Sequence, residues 1–360
     1  MKYGVIIHTR TTNFGDDIQT YAASRLLPHV DYYLDREHLD TFRSDNNEVV
    51  SAVFAHWWMN QKWNWPPSSC INPLLISMHM NQYTVRQGGS PIGDDWLKGI
   101  GADYLKHFGP VGCRDYYTQN YLNSLGIDTW FSACISLTLP KQRKIENAEP
   151  YVCLVDLPPR IHYTVKKRLQ KQGIAVREMT HLVSRSDELT YVDRMKRVED
   201  VLAIYQNALC VVTRRLHVSL PCLAMDVPVL AIIDKEDPKI YSRWDPYQNW
   251  VHCVSEKDFL KNNMEYDFRN PPENNKTYLA YREQLIDAVK EFIDRTESSD
   301  ITVSLPYMDE DVTQWQNELM KLGLDRWQSE NRAIISPGIR KAFKDIYLKI
   351  KTKIPEYIWK

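Results

Sequence analysis

Two arginines and a histidine stand close together in Arg214-Arg215-Leu216-His217, between a predicted strand and a predicted helix. The first N–H groups of a helix have no partner within it, and the helix dipole adds positive potential there. Guanidinium groups match phosphate and carboxylate with paired hydrogen bonds, and histidine transfers protons near neutral pH. The segment therefore predicts an anion-binding site. The structural alternative is that one arginine pairs a surface carboxylate and His217 caps the helix.

A second strand-to-helix boundary carries two adjacent acids, Asp16 and Asp17, after Asn13 and Gly15. Gly15 permits close approach of another group to the backbone. One acid is expected to cap the helix, and the other to face a cleft as a base or as an acceptor for a sugar hydroxyl. Capping alone explains this segment equally well.

Arg114 lies at a third boundary of the same kind, with Asp115 as the expected N-cap. We expect Arg114 to be a cation that faces the cleft, although an ordinary surface pair accounts for the two residues as well. His79 and His181 also come at predicted strand ends. No spacing of His, Cys and Asp predicts a metal site, and no Walker loop, GxGxxG or GxSxG is present.

Strands and helices alternate along most of the chain, as in a parallel sheet with helices on both faces. The first series ends before a polar stretch at residues 140–150, which predicts a linker, and a second series follows it. The fold class is therefore α/β, with two Rossmann-like domains that face a cleft. Strands are predicted at residues 3–8, 30–34, 49–54, 74–78, 109–113, 127–131, 151–157, 174–177, 209–213 and 228–233. Helices are predicted from residue 15 and at 115–125, 161–172, 192–208 and 218–225, the last with Pro221 in its first turn.

The predicted domains are residues 1–142 and 150–290, followed by a helical extension at 291–360. The last 20 residues are basic and amphipathic. They are either a docked tail or a transient attachment to an anionic membrane. The tryptophan-rich run from Trp57 to Trp65 either stacks on sugar rings or fills an irregular core.

The composition is that of an ordinary globular protein of 360 residues, 43% of them hydrophobic and 25% charged. The formal net charge of -1 gives no overall attraction to nucleic acid. Seven cysteines without a CxxC pair predict reduced thiols, most of them buried, and a cytoplasmic location. We find no signal peptide and no apolar stretch that could cross a membrane.

Several segments, in order along residues 1 to about 245, resemble the polysaccharide pyruvyl transferase family. The most specific is Thr213-Arg214-Arg215-Leu216-His217 with the helix that follows it. The other segments are Asn13-Phe14-Gly15-Asp16-Asp17-Ile18-Gln19, Pro66-Pro67, Ile76-Ser77-Met78-His79, Gly112-Cys113-Arg114-Asp115 with Thr118, Ser132-Ala133-Cys134-Ile135-Ser136-Leu137-Thr138-Leu139, Thr180-His181 and Leu220-Pro221-Cys222-Leu223-Ala224.

The resemblance implies a GT-B-like fold and transfer of a pyruvyl group from phosphoenolpyruvate to sugar hydroxyls, as a ketal, in surface polysaccharide synthesis. Phosphoenolpyruvate is then a donor substrate, and no separate cofactor is implied. The first domain would take the saccharide, and the second would take the phosphate. The implied catalytic residues are His217, Asp16 and Asp17, and the implied substrate-binding residues are Arg215, Arg214, Arg114, Asn13, Gly15, His79, His181 and Ser242.

Three positions depart from the family pattern. Ala55-His56 stands where relatives have Asn-Gly, Ala133 where they have Gly, and Arg214 where they have Ser. The first change is expected to alter the acceptor pocket. Two other functions therefore stay open: a GT-B glycosyltransferase that uses a nucleotide-sugar, and a saccharide-binding relative without catalytic activity.

Overall fold

The computed structural model describes residues 1–9, 11–58, 65–80, 95, 97–146, 149–183, 189–261, 265–298 and 302–330. Its strands are β1 (Lys2–Ile7), β2 (Tyr32–Asp35), β3 (Val50–Phe54), β4 (Trp57–Trp58), β5 (Ile71–Leu75), β6 (His79–Met80), β7 (Val111–Cys113), β8 (Thr129–Phe131), β9 (Tyr151–Val155), β10 (Ala175–Met179), β11 (Cys210–Thr213), β12 (Val229–Ile233) and β13 (His252–Ser255). The helices are α1 (Phe14–Ser24), α2 (Ile100–Phe108), α3 (Tyr116–Ser124), α4 (Pro159–Lys171), α5 (Tyr191–Gln206), α6 (Leu216–Ala224), α7 (Pro238–Trp244), α8 (Glu256–Leu260), α9 (Leu279–Ser298) and α10 (Asp309–Glu330).

Two parallel sheets organise these elements. The first has the order β2-β1-β3-β5, and the second has the order β10-β9-β11-β12-β13. The central strands β1, β3, β9, β11 and β12 are buried almost throughout, as expected where helices cover both faces, whereas the edge strands β2, β10 and β13 are only partly buried. The prediction of an α/β fold with parallel strands is confirmed.

One hydrophobic core joins the two sheets. It contains Val5 of β1 and Ile18 of α1 together with Val211 of β11 and Val218 of α6, all buried. Separate clusters cover the other faces of the first and the second sheet. Two features stay predictions: the division into domains at residues 142 and 150, and the arrangement of those domains across a cleft. The boundary predicted at residue 290 falls inside α9, which runs from Leu279 to Ser298.

The start of α1 differs from the prediction. The N-cap is Asn13, not one of the acids, because the helix begins at Phe14 and the Asn13 side chain accepts the Gly15 N–H at 3.3 Å. Asp16 and Asp17 lie in the first turn and are buried. Asp115, in contrast, caps α3 as predicted, with its carboxylate 2.8 Å from the Thr118 nitrogen.

The start of α6 also differs. The helix begins at Leu216, so Pro221 lies in its interior and not in the first turn. A proline has no N–H for the carbonyl four residues earlier, and its ring excludes that carbonyl from its helical position. The residue in question is His217, which leaves helical geometry with φ -80° and ψ 17°. The proline thereby bends the chain at the predicted active histidine.

The strand predicted at residues 74–78 ends at Leu75. Met78 instead donates its N–H to the Gly112 carbonyl at 3.0 Å and accepts the Arg114 N–H at 2.8 Å. This ladder brings β7 alongside residue 78 and sets Arg114 close to His79.

The remaining predictions concern aromatic residues, cysteines and the extension. Trp65 is fully buried and donates to the Gly101 carbonyl at 3.1 Å, which confirms core packing at that residue, whereas 59–64 lie outside the described residues. All seven cysteines are free. In the extension, α10 packs Trp315 on the first sheet's core, and 331–360 lie outside the described residues. No helix in the described part of the chain is apolar and long enough to cross a membrane.

Candidate functional site

A cavity of about 630 Å³ opens at the carboxyl edge of the second sheet. Ligands of open α/β sheets bind at this edge, because the loops and helix N-termini converge there. Arg214, Arg215 and His217 line the cavity, as the sequence predicts, and Asn13 reaches it from the start of α1. The other lining residues are Asp156, Leu157, Pro158, Pro159, Leu182, Leu216, Ile240, Arg243 and Trp244.

The cavity wall is rich in guanidinium groups. Arg215 is the N-cap residue of α6, and its Nε lies 2.6 Å from an Asp156 carboxylate oxygen. Arg214 makes no ion pair with any residue that the structure describes. Burial, and then the charge of Arg114, lowers the pKa of Arg243 to about 10. Cations that repel one another in a half-buried cavity favour the binding of an anion.

His217 is 7% exposed and packs directly against α1. A Cβ atom added to Gly15 would lie 2.8 Å from the His217 Cβ and 2.9 Å from its Nδ1. Only glycine therefore fits at position 15 without a shift of the histidine. Gly15 is a residue of close approach as predicted, but the group that approaches it is His217.

Arg114 joins the two sheets at His217. Its Nη1 lies 3.2 Å from His217 Nε2 and 3.4 Å from the Gln19 side-chain oxygen. A guanidinium only donates hydrogen bonds, so His217 Nε2 accepts and the ring proton is assigned to Nδ1. Burial, and then the charges of Arg114 and Arg243, holds the pKa of His217 well below its usual value. His217 is therefore neutral while the cavity holds no anion.

Arg114 itself is 1% exposed, and its Nε and Nη2 have no hydrogen-bond partner among the described residues. The hydroxyl of Tyr247 donates to the Arg114 carbonyl and fixes the backbone there. A buried guanidinium with two unsatisfied nitrogens is unfavourable unless a ligand supplies the missing acceptors. Arg114 thus has the properties of an anion-binding residue that approaches from the first sheet.

The two acids of α1 have different surroundings. Asp16 accepts hydrogen bonds from the Thr11 hydroxyl at 2.6 Å and from the Asn13 amide at 3.2 Å. Asp17 forms an ion pair with Arg194 of α5, which also donates to the His8 carbonyl at 2.8 Å. Burial raises the pKa of Asp17, while Arg194 opposes that shift. Asp17 therefore holds α5 against α1, and Asp16 is the acid next to the cavity residue Asn13.

Seven of the predicted site residues do not line the cavity: Gly15, Asp16, Asp17, Arg114, His79, His181 and Ser242. His79 is buried, with its Nδ1 2.6 Å from Asp115, and burial lowers its pKa. His181 is fully buried, with its Nε2 2.7 Å from the Tyr205 hydroxyl, and burial lowers its pKa to about 3. Ser242 lies in α7 between the lining residues Ile240 and Arg243, and its hydroxyl has no hydrogen-bond partner in the described part of the chain.

The sequence profile described as "Polysaccharide pyruvyl transferase" matches residues 13–235, which is more than half of the chain. The chain belongs to this family. No curated protein matches it in sequence.

Two solved structures are distantly similar to this family member. A functionally uncharacterized protein from Klebsiella pneumoniae is 12% identical, with a TM-score of 0.40, over 71% of this chain and 92% of its own. The UDP-GlcNAc 2-epimerase of Methanocaldococcus jannaschii, in complex with UDP-GlcNAc and UDP, is also 12% identical, with a TM-score of 0.36. That likeness covers 90% of this chain and all of the epimerase.

The family member has site residues that the motifs did not reveal. Asp156 follows β9 just as Arg214 follows β11, and parallel strands place their carboxyl ends at one edge, so its position was a usable signal. Arg243 and Trp244 lie in a short helix without a recognisable pattern. The described residues contain no group of three or more His, Cys, Asp or Glu side chains that could hold a metal ion.

The departure at Ala55-His56 lies inside the protein. His56 is fully buried, and its Nε2 lies 3.3 Å from the Thr20 hydroxyl. The Ala55 carbonyl accepts from the Gln19 amide at 2.6 Å, and the same amide group's oxygen faces Arg114. Neither residue lines the cavity. The Ala55 carbonyl thus holds Gln19, which in turn accepts a hydrogen bond from Arg114.

Proposed function

We propose that the protein transfers the pyruvyl group of phosphoenolpyruvate to two hydroxyls of a saccharide, forms a ketal and releases phosphate. The observation that supports this most is the buried Arg114 beside His217, with two guanidinium nitrogens that lack partners among the described residues. Family membership supplies the reaction class, and this pair supplies a place for the donor's charges.

The donor carries a phosphate and a carboxylate, each of which suits a guanidinium. We assign Arg114 and Arg215 to these groups, with Arg214 beside Arg215 on the cavity wall. Arg114 does not itself line the cavity, but it contacts the lining residue His217.

In the reaction the methylene carbon of the donor gains a proton while one hydroxyl oxygen bonds to the adjacent carbon, which carries the phosphate, and loses its proton. The second hydroxyl oxygen then bonds to the same carbon, the bond from that carbon to the phosphate oxygen breaks, and the second hydroxyl proton leaves with the phosphate. The net change is donor and diol to ketal and inorganic phosphate.

We assign the proton transfers to His217 and Asp16. His217 is neutral in the free site, and a bound phosphate dianion raises its pKa and supplies the charge that an imidazolium needs. Asp16 is the acid of α1 that Arg194 does not hold, and it adjoins Asn13 of the cavity wall. The role of a base that was predicted for either acid is therefore proposed for Asp16 alone.

The test is calorimetry with phosphoenolpyruvate, inorganic phosphate and nucleotide-sugars, followed by assay of phosphate release with mixed saccharides. We expect phosphoenolpyruvate to bind, and His217→Ala to lower turnover at least ~100-fold, as loss of a general acid does. His162→Ala, at a half-exposed histidine of α4, is the control and should keep full activity.

Each alternative gives a different result. Binding of nucleotide-sugars without binding of phosphoenolpyruvate would favour a glycosyltransferase. Saccharide binding without turnover of any donor would favour a non-catalytic relative. A place in surface polysaccharide synthesis, at the cytoplasmic face of the membrane, stays a prediction. Attachment to that membrane through the basic tail also stays a prediction, and vesicle binding of the full chain would test it.

A further inference from the structure

Asp156 occupies a special backbone position on the cavity wall. It ends β9 with φ +48°, in the left-handed region that residues other than glycine rarely adopt. Aspartate tolerates that region better than most side chains. Such a conformation costs roughly 1–3 kcal/mol and is kept where the surroundings demand it. The surroundings of this carboxylate should therefore explain it.

The carboxylate is held by three donors from two segments. One oxygen accepts the Thr180 hydroxyl at 2.6 Å, and the other accepts the His181 N–H at 2.9 Å. The second oxygen also lies 2.6 Å from Nε of Arg215. Burial alone would raise the pKa of Asp156, but these hydrogen bonds and the charge of Arg215 hold it below its usual value. The group is an anion with a fixed orientation.

The same contacts reach the first sheet. The His181 carbonyl accepts the Phe14 N–H at 2.9 Å, and Leu182 pairs with Asn13 in an antiparallel bridge. Asp156 is therefore connected through residues 180–182 to the start of α1, which carries Asn13 and Gly15. One carboxylate braces the loops of both sheets at the edge where the cavity opens.

Arg215 is held at Nε only. Its side chain is 27% exposed on the cavity wall, and its two terminal nitrogens make no hydrogen bond with a residue that the structure describes. Those nitrogens form the end of the guanidinium that matches a carboxylate or phosphate with two parallel hydrogen bonds. A carboxylate bound at Nε thus restricts the side chain without occupying its ligand-binding end.

We propose that Asp156 is a positioning residue that aims the terminal nitrogens of Arg215 at the anionic donor. The proposal rests on the proposed function for the identity of that donor, phosphoenolpyruvate. Asp156 touches neither donor nor acceptor in this role. It acts through Arg215, and the strained backbone at its own position is a consequence of the three contacts it must make.

A role in charge balance alone predicts the opposite effect. If Asp156 only reduced the positive potential of the cavity, its replacement by a neutral residue would strengthen the binding of every anion. If it positions Arg215, the same change weakens binding, and it weakens phosphoenolpyruvate more than inorganic phosphate. A donor with two anionic groups needs the correct geometry, whereas a single phosphate ion adapts to the cations it finds.

The experiment is a double-mutant cycle by calorimetry with Asp156→Asn, Arg215→Ala and the double variant. We expect Asp156→Asn to weaken phosphoenolpyruvate binding ~10-fold or more, since a fixed charge-assisted hydrogen-bond pair is lost. In the Arg215→Ala background the same change should matter less than ~2-fold. Asp156→Gly, which removes the carboxylate and relaxes the backbone, should behave like Asp156→Asn even if the asparagine variant folds poorly. Glu178→Gln on β10, which loses a surface ion pair, is the control and should bind as the wild type does.

Unchanged or tighter binding in both Asp156 variants would overturn the proposal, as would an equal loss with and without Arg215. If the wild type binds phosphate but not phosphoenolpyruvate, the proposed function fails, and the sign of the change in phosphate affinity still decides the role of Asp156. Positioning of Arg215 predicts weaker phosphate binding in Asp156→Asn, whereas charge balance alone predicts tighter binding. A wild type that binds neither anion overturns both.

Discussion

The carboxyl edges of the two sheets present polar residues in opposite ways. At the first sheet, His8 and His56 are buried, and Asp17 is paired with Arg194. At the second sheet, Arg214 and Arg215 line a cavity together with His217. The polar groups of the first edge are buried inside the protein, some of them without a hydrogen-bond partner among the described residues, whereas those of the second edge line an open cavity.

This difference shows that residue type at a strand end does not by itself distinguish a binding group from a structural one. What distinguishes the charged residues Asp17 and Arg114 is whether the protein supplies the partner. Asp17 has one in Arg194, and Arg114 lacks partners for two of its nitrogens among the described residues. Arg114 also reaches the second sheet, since its Nη1 contacts Nε2 of His217.

The largest effect should come from breaking the buried ion pair between Asp17 and Arg194 at the first sheet. Asp17→Ala leaves Arg194 buried without its ion-pair partner, which typically lowers the free energy of unfolding by about 3–5 kcal/mol. Urea denaturation measures the loss. Asp200→Ala, which breaks the exposed pair with Lys196, is the control and should lose about 0–1 kcal/mol. Equal losses in the two variants would show that Asp17 is not the buried brace described above.

A smaller effect, of opposite sign for stability, is expected at Arg114. Arg114→Met removes two unsatisfied buried nitrogens and keeps much of the volume, so the melting temperature of the free protein should stay the same or rise. Affinity for phosphoenolpyruvate should fall at least ~100-fold, about 2.7 kcal/mol. Arg168→Met, which loses a bond to the Phe259 carbonyl, is the control with unchanged affinity. A marked loss of stability with retained affinity would place Arg114 among the structural residues.

The smallest effect concerns His181, whose folded-state pKa of about 3 lies below the unfolded value near 6.5. Between these two values the unfolded chain binds a proton that the folded chain does not, so stability falls as pH falls below 6.5. From pH 7.5 to pH 5.5 this residue should account for a loss of about 1.4 kcal/mol. His181→Phe keeps a ring against Phe14 and should show a correspondingly shallower decline in urea titrations. The same decline in both proteins would exclude His181 as a source of acid sensitivity.

Local sequence patterns predicted much of the fold, because the positions of strands and helices depend on hydrophobic periodicity and on cap residues. The alternation of apolar runs and amphipathic stretches predicted nearly every strand of both sheets, and Asp115 was correctly predicted as a cap. The start of α1 was predicted one residue late and its N-cap three or four residues late, since asparagine competes with aspartate for the same capping role. Arg214, Arg215 and His217 were predicted to lie together because they are nearly contiguous, and they line one cavity; their role in binding and catalysis stays a prediction.

Contacts between distant parts of the chain were not predictable in the same way. Arg194 lies on an ordinary amphipathic helix, and nothing local indicates that it pairs with Asp17 across the core shared by the two sheets. Arg243 likewise belongs to the cavity only because α7 folds over the edge of the second sheet. Such partners are set by packing, and a single sequence contains no periodic signal for packing between elements.

The contact between Gly15 and His217 limits how this architecture can change over evolution or by engineering. A methyl group at position 15 would meet a histidine that belongs to the other sheet. The two sheets are therefore not interchangeable modules. A chimera that joined one sheet to a relative's other sheet would succeed only if both parents kept the glycine and the histidine in matched positions. The site is thus retained only when both sheets, with Gly15 and His217, are retained together.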